Sequence, residues 1–233
     1  MAAATTGASS GSWNALVAGA TGATGRYLLA YLLANESVAA ITVIGRREVT
    51  FPPDKQPSPS HLHKLRYKHL HDLTQLAALD PSQLTPSSFQ IAFCCLGTTR
   101  GNAGSAQGFR TIDYDCVKYF GSLAKQCGVE HMQLLSSFGA NKNSMFLYPK
   151  TKGETEEFYR SLAFKQLTII RLPLLDRGAD ARFVEKVVKH VFPSIKVQDV
   201  AYAMMRHAEN VMKSKDEGEV IIDGSGLKKL AQN

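Results

Sequence analysis

Tyr148 and Lys152 stand four residues apart in the stretch Leu147-Tyr148-Pro149-Lys150-Thr151-Lys152. On a helix, positions i and i+4 are neighbours, so this spacing sets an ammonium beside a phenol. A free phenol titrates near pH ~10 and exchanges its proton poorly at neutral pH. A nearby cation favours the phenolate and lowers that pKa, which turns the tyrosine into a usable acid or base. The same spacing also arises in helices where two residues merely share a face, so the rest of the chain has to supply the context.

A second group of residues is suited to holding phosphate. The apolar run from Asn14 to Ala20 turns directly into Gly19-Ala20-Thr21-Gly22-Ala23-Thr24-Gly25, and an apolar stretch at helical spacing follows. Glycines three apart at a strand-to-helix turn let the backbone fold tightly and approach a pyrophosphate, whose charge then rests on the helix N-terminus. The second β-rich run ends in Gly45-Arg46-Arg47. An acidic residue there would bind the ribose hydroxyls of NAD, whereas two guanidiniums suit the 2′-phosphate of NADP, so the expected cofactor is NADPH. The loop Leu96-Gly97-Thr98-Thr99 follows the fourth strand, where ligands of open α/β sheets gather. Asp72, after the third strand, has two readings: it accepts from the adenine amino group, or it caps the helix that begins at Leu73.

The elements that must position these residues alternate between strand and helix along the whole chain. This predicts an α/β fold, a Rossmann-type doubly wound parallel sheet with a small C-terminal α/β extension. Residues 1–12, small and polar, read as a flexible tail, and 13–233 as a single NAD(P)-binding domain. One long helix is expected from about Phe109 to Cys127. The chain of 233 residues is 44% hydrophobic and 20% charged, which allows an ordinary globular core. No apolar run approaches the ~20 residues needed to span a bilayer. The amino terminus resembles neither a secretion signal nor an arginine-rich transit peptide, and Cys94, Cys95, Cys116 and Cys127 lack C-x-x-C spacing. A reducing, cytoplasmic location is therefore expected. The net charge of +7 calls for an anionic partner. His61, His63, His69 and His71 have metal-like spacing but no acidic or thiol companion, so no metal is expected. The basic run from His63 to His69 carries no nucleic-acid-binding fingerprint, and no nucleic acid is expected either.

Five segments in this order, GATGATG, VIGRR, FCCLGTTRGNAG, LLSSFGA and FLYPKTKGE, resemble atypical short-chain dehydrogenase/reductases. Within these, the chain is similar to the group of a Tat-interacting oxidoreductase and fungal mitochondrial outer-membrane proteins. The resemblance implies an NADPH-binding Rossmann domain with a Ser-Tyr-Lys site. Tyr148 and Lys152 match its tyrosine and lysine. Of Ser136 and Ser137, the second is taken as the carbonyl binder. Thr21, Gly22, Ala23, Thr24, Arg46, Arg47, Leu96 and Gly97 match the cofactor positions. After the sixth strand the family usually has Arg-Pro-Gly, and this chain reads Arg171-Leu172-Pro173-Leu174-Leu175-Asp176-Arg177. Position alone assigns Leu174 and Arg177 to the nicotinamide and phosphate side. The implied function is reduction of a small carbonyl substrate. The alternative is an NADPH-sensing regulatory protein with a protein partner and vestigial chemistry. Nuclear or mitochondrial-surface association, peripheral to a membrane, is also implied.

Overall fold

Seven strands form one parallel sheet in the computed structural model, which describes residues 11–176 and 194–232. They are β1 (Trp13–Ala18), β2 (Val38–Gly45), β3 (Leu65–His69), β4 (Ile91–Cys94), β5 (His131–Ser137), β6 (Gln166–Leu172) and β9 (Gly218–Ile222), in the order β3-β2-β1-β4-β5-β6-β9. A separate parallel pair joins β7 (Leu174–Asp176) to β8 (Ser194–Lys196). The helices are α1 (Ala23–Ala34), α2 (Arg100–Ala103), α3 (Ala106–Arg110), α4 (Val117–Gln126), α5 (Leu147–Ser161), α6 (Val197–Ser214) and α7 (Gly224–Gln232).

The central strands are buried on both faces because helices cover both, and their sequences are apolar runs for that reason. In β4, Ile91, Ala92, Phe93 and Cys94 are all buried. Alternation divides the core in two. Ala15, Val17, Ile41, Val43 and Phe93 pack with α1, α6 and α7. Leu16, Ala18, Ala92, Cys94, Leu134 and Ile169 pack under α4 and α5. Each fully buried leucine or phenylalanine contributes about 1.5–3 kcal/mol. The C-terminal α/β portion belongs to the same sheet, with β9 lying beside β6.

Two expectations are refined. The short helix after Asp72 is a 3₁₀ helix, Leu73–Ala78. The long helix expected from Phe109 to Cys127 is interrupted by a π segment, Thr111–Cys116, between α3 and α4. The chain winds from β1 to β2 and β3 on one side and from β4 to β5 and β6 on the other. The crevice beyond the carboxyl ends of β1 and β4 is therefore the place this topology provides for a ligand.

Candidate active site

The β1–α1 turn forms the floor of that crevice. Gly19 has φ +80°, and a Cβ on it would collide with the backbone carbonyl of Cys95 at the end of β4. Only glycine lets the two strands' ends come this close. Gly25 is required in the same way, since a Cβ there would overlap the Gly19 carbonyl. Gly22 differs, because a Cβ on it would meet nothing nearer than the Gly19 oxygen at 3.2 Å. Its N–H donates to that oxygen at 3.0 Å, closing the turn. Gly22 is also the N-cap of α1 and no side chain caps the helix, so first-turn N–H groups are left for water or an anion.

Above this turn lies a cleft of about 500 Å³ lined by Thr21, Gly22, Ala23, Thr24, Arg46, Arg47 and, on its far wall, Ser136, Tyr148 and Lys152. An adjoining space of about 410 Å³ shares Thr21, Gly22, Arg46, Leu96, Gly97 and Thr98. Volumes of this order suit a nucleotide and a small substrate. The cofactor residues inferred from the sequence are thus brought together, with three qualifications. Asp72 caps the 3₁₀ helix, its carboxylate accepting from Thr74 N–H at 2.8 Å, so of its two readings the cap is the one formed. Those Thr74 contacts, with a smaller contribution from Arg46, lower its pKa. Leu174 is seen only as backbone of β7, and Arg177 lies outside the described residues. Arg46 and Arg47 are exposed, and among the described residues neither has a hydrogen bond or ion pair. Cys95 lines the cleft, but burial pushes its thiol well above the usual range, so it is no nucleophile at neutral pH.

Tyr148 and Lys152 occupy the first turns of α5, and Lys152 Nζ lies 6.0 Å from the centroid of the Tyr148 ring. Tyr148 is half-exposed and packs on Phe109 with ring centroids 5.8 Å apart. Lys152 is buried, and its charge is matched by Asp113 Oδ1 at 2.8 Å. Burial pulls the lysine pKa down, yet the Asp113 carboxylate, with a smaller contribution from Tyr148, leaves it above the ordinary value. Lys152 is therefore a fixed cation. The second oxygen of Asp113 accepts from Thr98 N–H at 2.7 Å, which ties the pair to the loop after β4.

The two serines diverge at the end of β5. Ser136 is buried and donates to Glu156 Oε1 at 2.5 Å. Arg171 donates to the same carboxylate through Nε at 3.1 Å and Nη2 at 2.6 Å. Ser137 Oγ donates to the Phe138 carbonyl at 3.1 Å. Ser136 lines the cleft but has committed its proton, whereas Ser137, the serine expected to bind the carbonyl, is not among the cleft's lining residues and its hydroxyl sits in a weaker, more exposed bond.

Asp113 and Glu156 were missed by the sequence reading. Asp113 had a legible signal, since it falls one helical turn from Phe109 and from Val117 and so puts an acid on an apolar stripe. Glu156 had none. With Lys152 four residues before it and Arg160 four after, it reads as part of a solvated ladder, yet it is 1% exposed. The histidines scatter: His61 and His63 lie on a 3₁₀ helix and His69 on β3, where it stacks on Tyr67. Among the described residues no three His, Cys, Asp or Glu side chains converge as a metal site would require.

No family model matches the chain. The rat Protein HTATIP2 is 37% identical over 155 residues, covering 66% of this chain and 60% of its own length. Protein fmp52, mitochondrial, of Aspergillus clavatus is 32% identical over 222 residues, covering 89% of this chain and 90% of its own. The chain belongs to the HTATIP2–FMP52 family. Solved structures share its fold. A short-chain dehydrogenase family protein from Francisella tularensis superposes with TM-score 0.66 at 16% identity, over 93% of this chain and 99% of that one. MoeE5 in complex with UDP-glucose and NAD gives TM-score 0.62 at 16% identity, over 90% and 75%. At that identity the likeness is one of fold. The cytoplasmic location expected from the amino-terminal composition is corrected by these comparisons, because the fungal relatives are named mitochondrial. Among the described residues no helix is long and apolar enough to cross a membrane.

Proposed function

We propose that this chain binds NADPH and reduces a small carbonyl compound to the alcohol. One observation carries the reading: Tyr148 and the buried Lys152–Asp113 pair open onto the same cleft as the phosphate-binding turn. The glycine turn, the uncapped start of α1 and the unpaired Arg46 and Arg47 fit a nicotinamide dinucleotide bearing a 2′-phosphate. A fold neighbour in complex with NAD supports the nucleotide class. Thr21 to Thr24 and Gly25 would hold the pyrophosphate, with Leu96, Gly97 and Thr98 along the adjoining wall. When bound, the nicotinamide supplies the hydride that the carbonyl carbon receives.

The chain's own residues manage the proton and the position of the substrate. Tyr148 gives its phenolic proton to the carbonyl oxygen, completing the alcohol. Lys152, held charged by Asp113, stabilises the phenolate left behind and offers a hydrogen bond to the nicotinamide ribose. Ser137 turns its hydroxyl from the Phe138 carbonyl to the substrate oxygen, a donor aimed where negative charge develops. Ser136 is unsuited to that role while Glu156 holds it.

Purification tests the reading directly. The protein should retain a nucleotide whose mass is that of NADP(H), and should consume added NADPH in step with alcohol formed from an aldehyde or ketone. Lys152→Met should weaken both turnover and NADPH affinity. A retained nucleotide with no consumption across a broad carbonyl panel would leave a nucleotide sensor and remove the reaction.

A further inference from the structure

Ser136 lines the cleft with Tyr148 and Lys152, yet proton transfer to the carbonyl makes no use of it. A hydroxyl carries one proton and two acceptor lone pairs. The Ser136 proton is given to Glu156 Oε1 at 2.5 Å.

The direction of that bond follows from what surrounds Glu156, which is 1% exposed. Arg171 of β6 donates to it through Nε at 3.1 Å and Nη2 at 2.6 Å. Arg160 Nη2 lies 3.6 Å from its second oxygen. Beside two guanidiniums Glu156 is a carboxylate, and a carboxylate only accepts. Ser136 is therefore the donor, and what its oxygen offers the cleft is lone pairs. Donation to a charged partner polarises the hydroxyl and strengthens that oxygen as an acceptor.

Four elements hold this arrangement. Ser136 lies on β5, Glu156 and Arg160 on α5, and Arg171 on β6. Arg160 is tied in turn to Glu219 of β9, Nε to Oε2 and Nη2 to Oε1, both at 2.8 Å. Turning the Ser136 proton toward a ligand would strip a buried carboxylate of a hydrogen bond, so the polarity of the oxygen is built in. Tyr148, Lys152 and Glu156 follow at four-residue spacing and share one face of α5, which sets Ser136 along the same wall as the proton donor. Among the described residues no group donates to Ser136 Oγ.

A buried acceptor facing a ligand is selective. A ligand that brings a donor satisfies it, and one that brings a methyl group leaves it unpaired and cut off from water. In the proposed complex Lys152 serves the nicotinamide ribose and the β1–α1 turn the pyrophosphate, so Ser136 falls to the substrate. We infer that Ser136 is a specificity-determining residue, accepting a hydrogen bond from an O–H or N–H group that the substrate carries close to its carbonyl. This rests on the reductase reading and narrows its substrate class.

Reduction of two matched pairs of ketones by the full chain with NADPH tests the inference, a hydroxyl being the smallest such donor. Hydroxyacetone is compared with 2-butanone, and 4-hydroxy-2-butanone with 2-pentanone; within each pair a methyl group of similar size replaces the hydroxyl. In at least one pair kcat/KM should favour the hydroxylated ketone tenfold or more. Ser136→Ala leaves Arg171 on Glu156 and should lower that ratio at least tenfold, a comparison in which the intrinsic reactivity of the ketones cancels. Should the variant not fold, the ratios of the unaltered protein decide. Ratios near one in both pairs would overturn the inference, as would a preference that survives Ser136→Ala. A variant that loses NADPH affinity and keeps the preference would put the donor on the nicotinamide and overturn it too. Reduction of the alkyl ketones as readily as their hydroxylated partners fails the inference alone, whereas no reduction of any ketone fails the reductase reading and the inference with it.

Discussion

Arg46 and Arg47 illustrate how a residue type at one position carries information about a ligand. Both are exposed and neither has a hydrogen bond or ion pair among the described residues, so a 2′-phosphate would not have to break one to reach them. Charge-assisted hydrogen bonds contribute about 1.5–3 kcal/mol each. Replacing both with alanine should therefore weaken NADPH by several kcal/mol and leave NADH nearly unchanged in a calorimetric titration. Equal losses for the two nucleotides would remove the arginines from the 2′-phosphate site. Asp113 makes a different prediction, about stability. Because the Lys152 pKa is raised in the folded state, the pair's contribution is fully present below the lysine's unfolded pKa of ~10.4 and lost as pH rises through the higher folded value. Asp113→Asn leaves the lysine buried without its carboxylate and should cost about 3–5 kcal/mol at pH 7 in urea unfolding. Burial then depresses the lysine pKa, so the deficit should narrow as pH approaches 10. A deficit that is small, or constant with pH, would show that the pair does not hold the charge. Tyr148, Lys152 and the arginines were legible in the sequence because each lies close to a turn or shares a helix with its partner. The Asp113–Lys152 pair was not, because it joins residues 39 apart in sequence through the π segment.

At the scale of elements, the β1–α1 turn separates glycines that the fold requires from the one that the proposed nucleotide would require. Gly19→Ala would press a Cβ into the Cys95 carbonyl at a positive φ, and should lower the melting temperature sharply. Gly22→Ala would set a Cβ 3.2 Å from the Gly19 carbonyl oxygen, a tight contact that a small shift relieves, and places a methyl group at the uncapped start of α1. It should keep most of the stability and lose nucleotide affinity by at least tenfold. Thermal unfolding and NADPH titration of the two variants check this, and equal destabilisation of both would undo the distinction. The turn itself was legible, since strand, glycines and helix follow one another within a few residues. The π segment was not. An i+5 hydrogen-bond register leaves the apolar spacing close to that of an α-helix, so the interruption shows only when Asp113 is seen to meet Lys152. The divergence of Ser136 and Ser137 was likewise hidden. Adjacent strand residues face opposite sides of a sheet, but only the tertiary position of Glu156 shows which hydroxyl is engaged.

The whole molecule is a parallel sheet whose switch point gathers distant segments into one cleft, and this much followed from the alternation of apolar runs with helical ones. What sequence could not show was how those segments meet. Thr21, Arg46, Gly97 and Lys152 come from four different crossovers and converge only because β1 and β4 are neighbours. The central claim is that this convergence performs proton transfer to a carbonyl, and Tyr148→Phe tests it most directly. The substitution keeps the ring and its packing on Phe109 while removing the proton the mechanism uses. NADPH oxidation by wild type and variant should be measured with the same responsive carbonyl, alongside NADPH affinity. The expected result is a fall in rate of ~10²–10⁴-fold, the usual contribution of a positioned acid, with affinity changed little. Equal rates in the two proteins would contradict the account and leave a nucleotide-binding fold without the reaction.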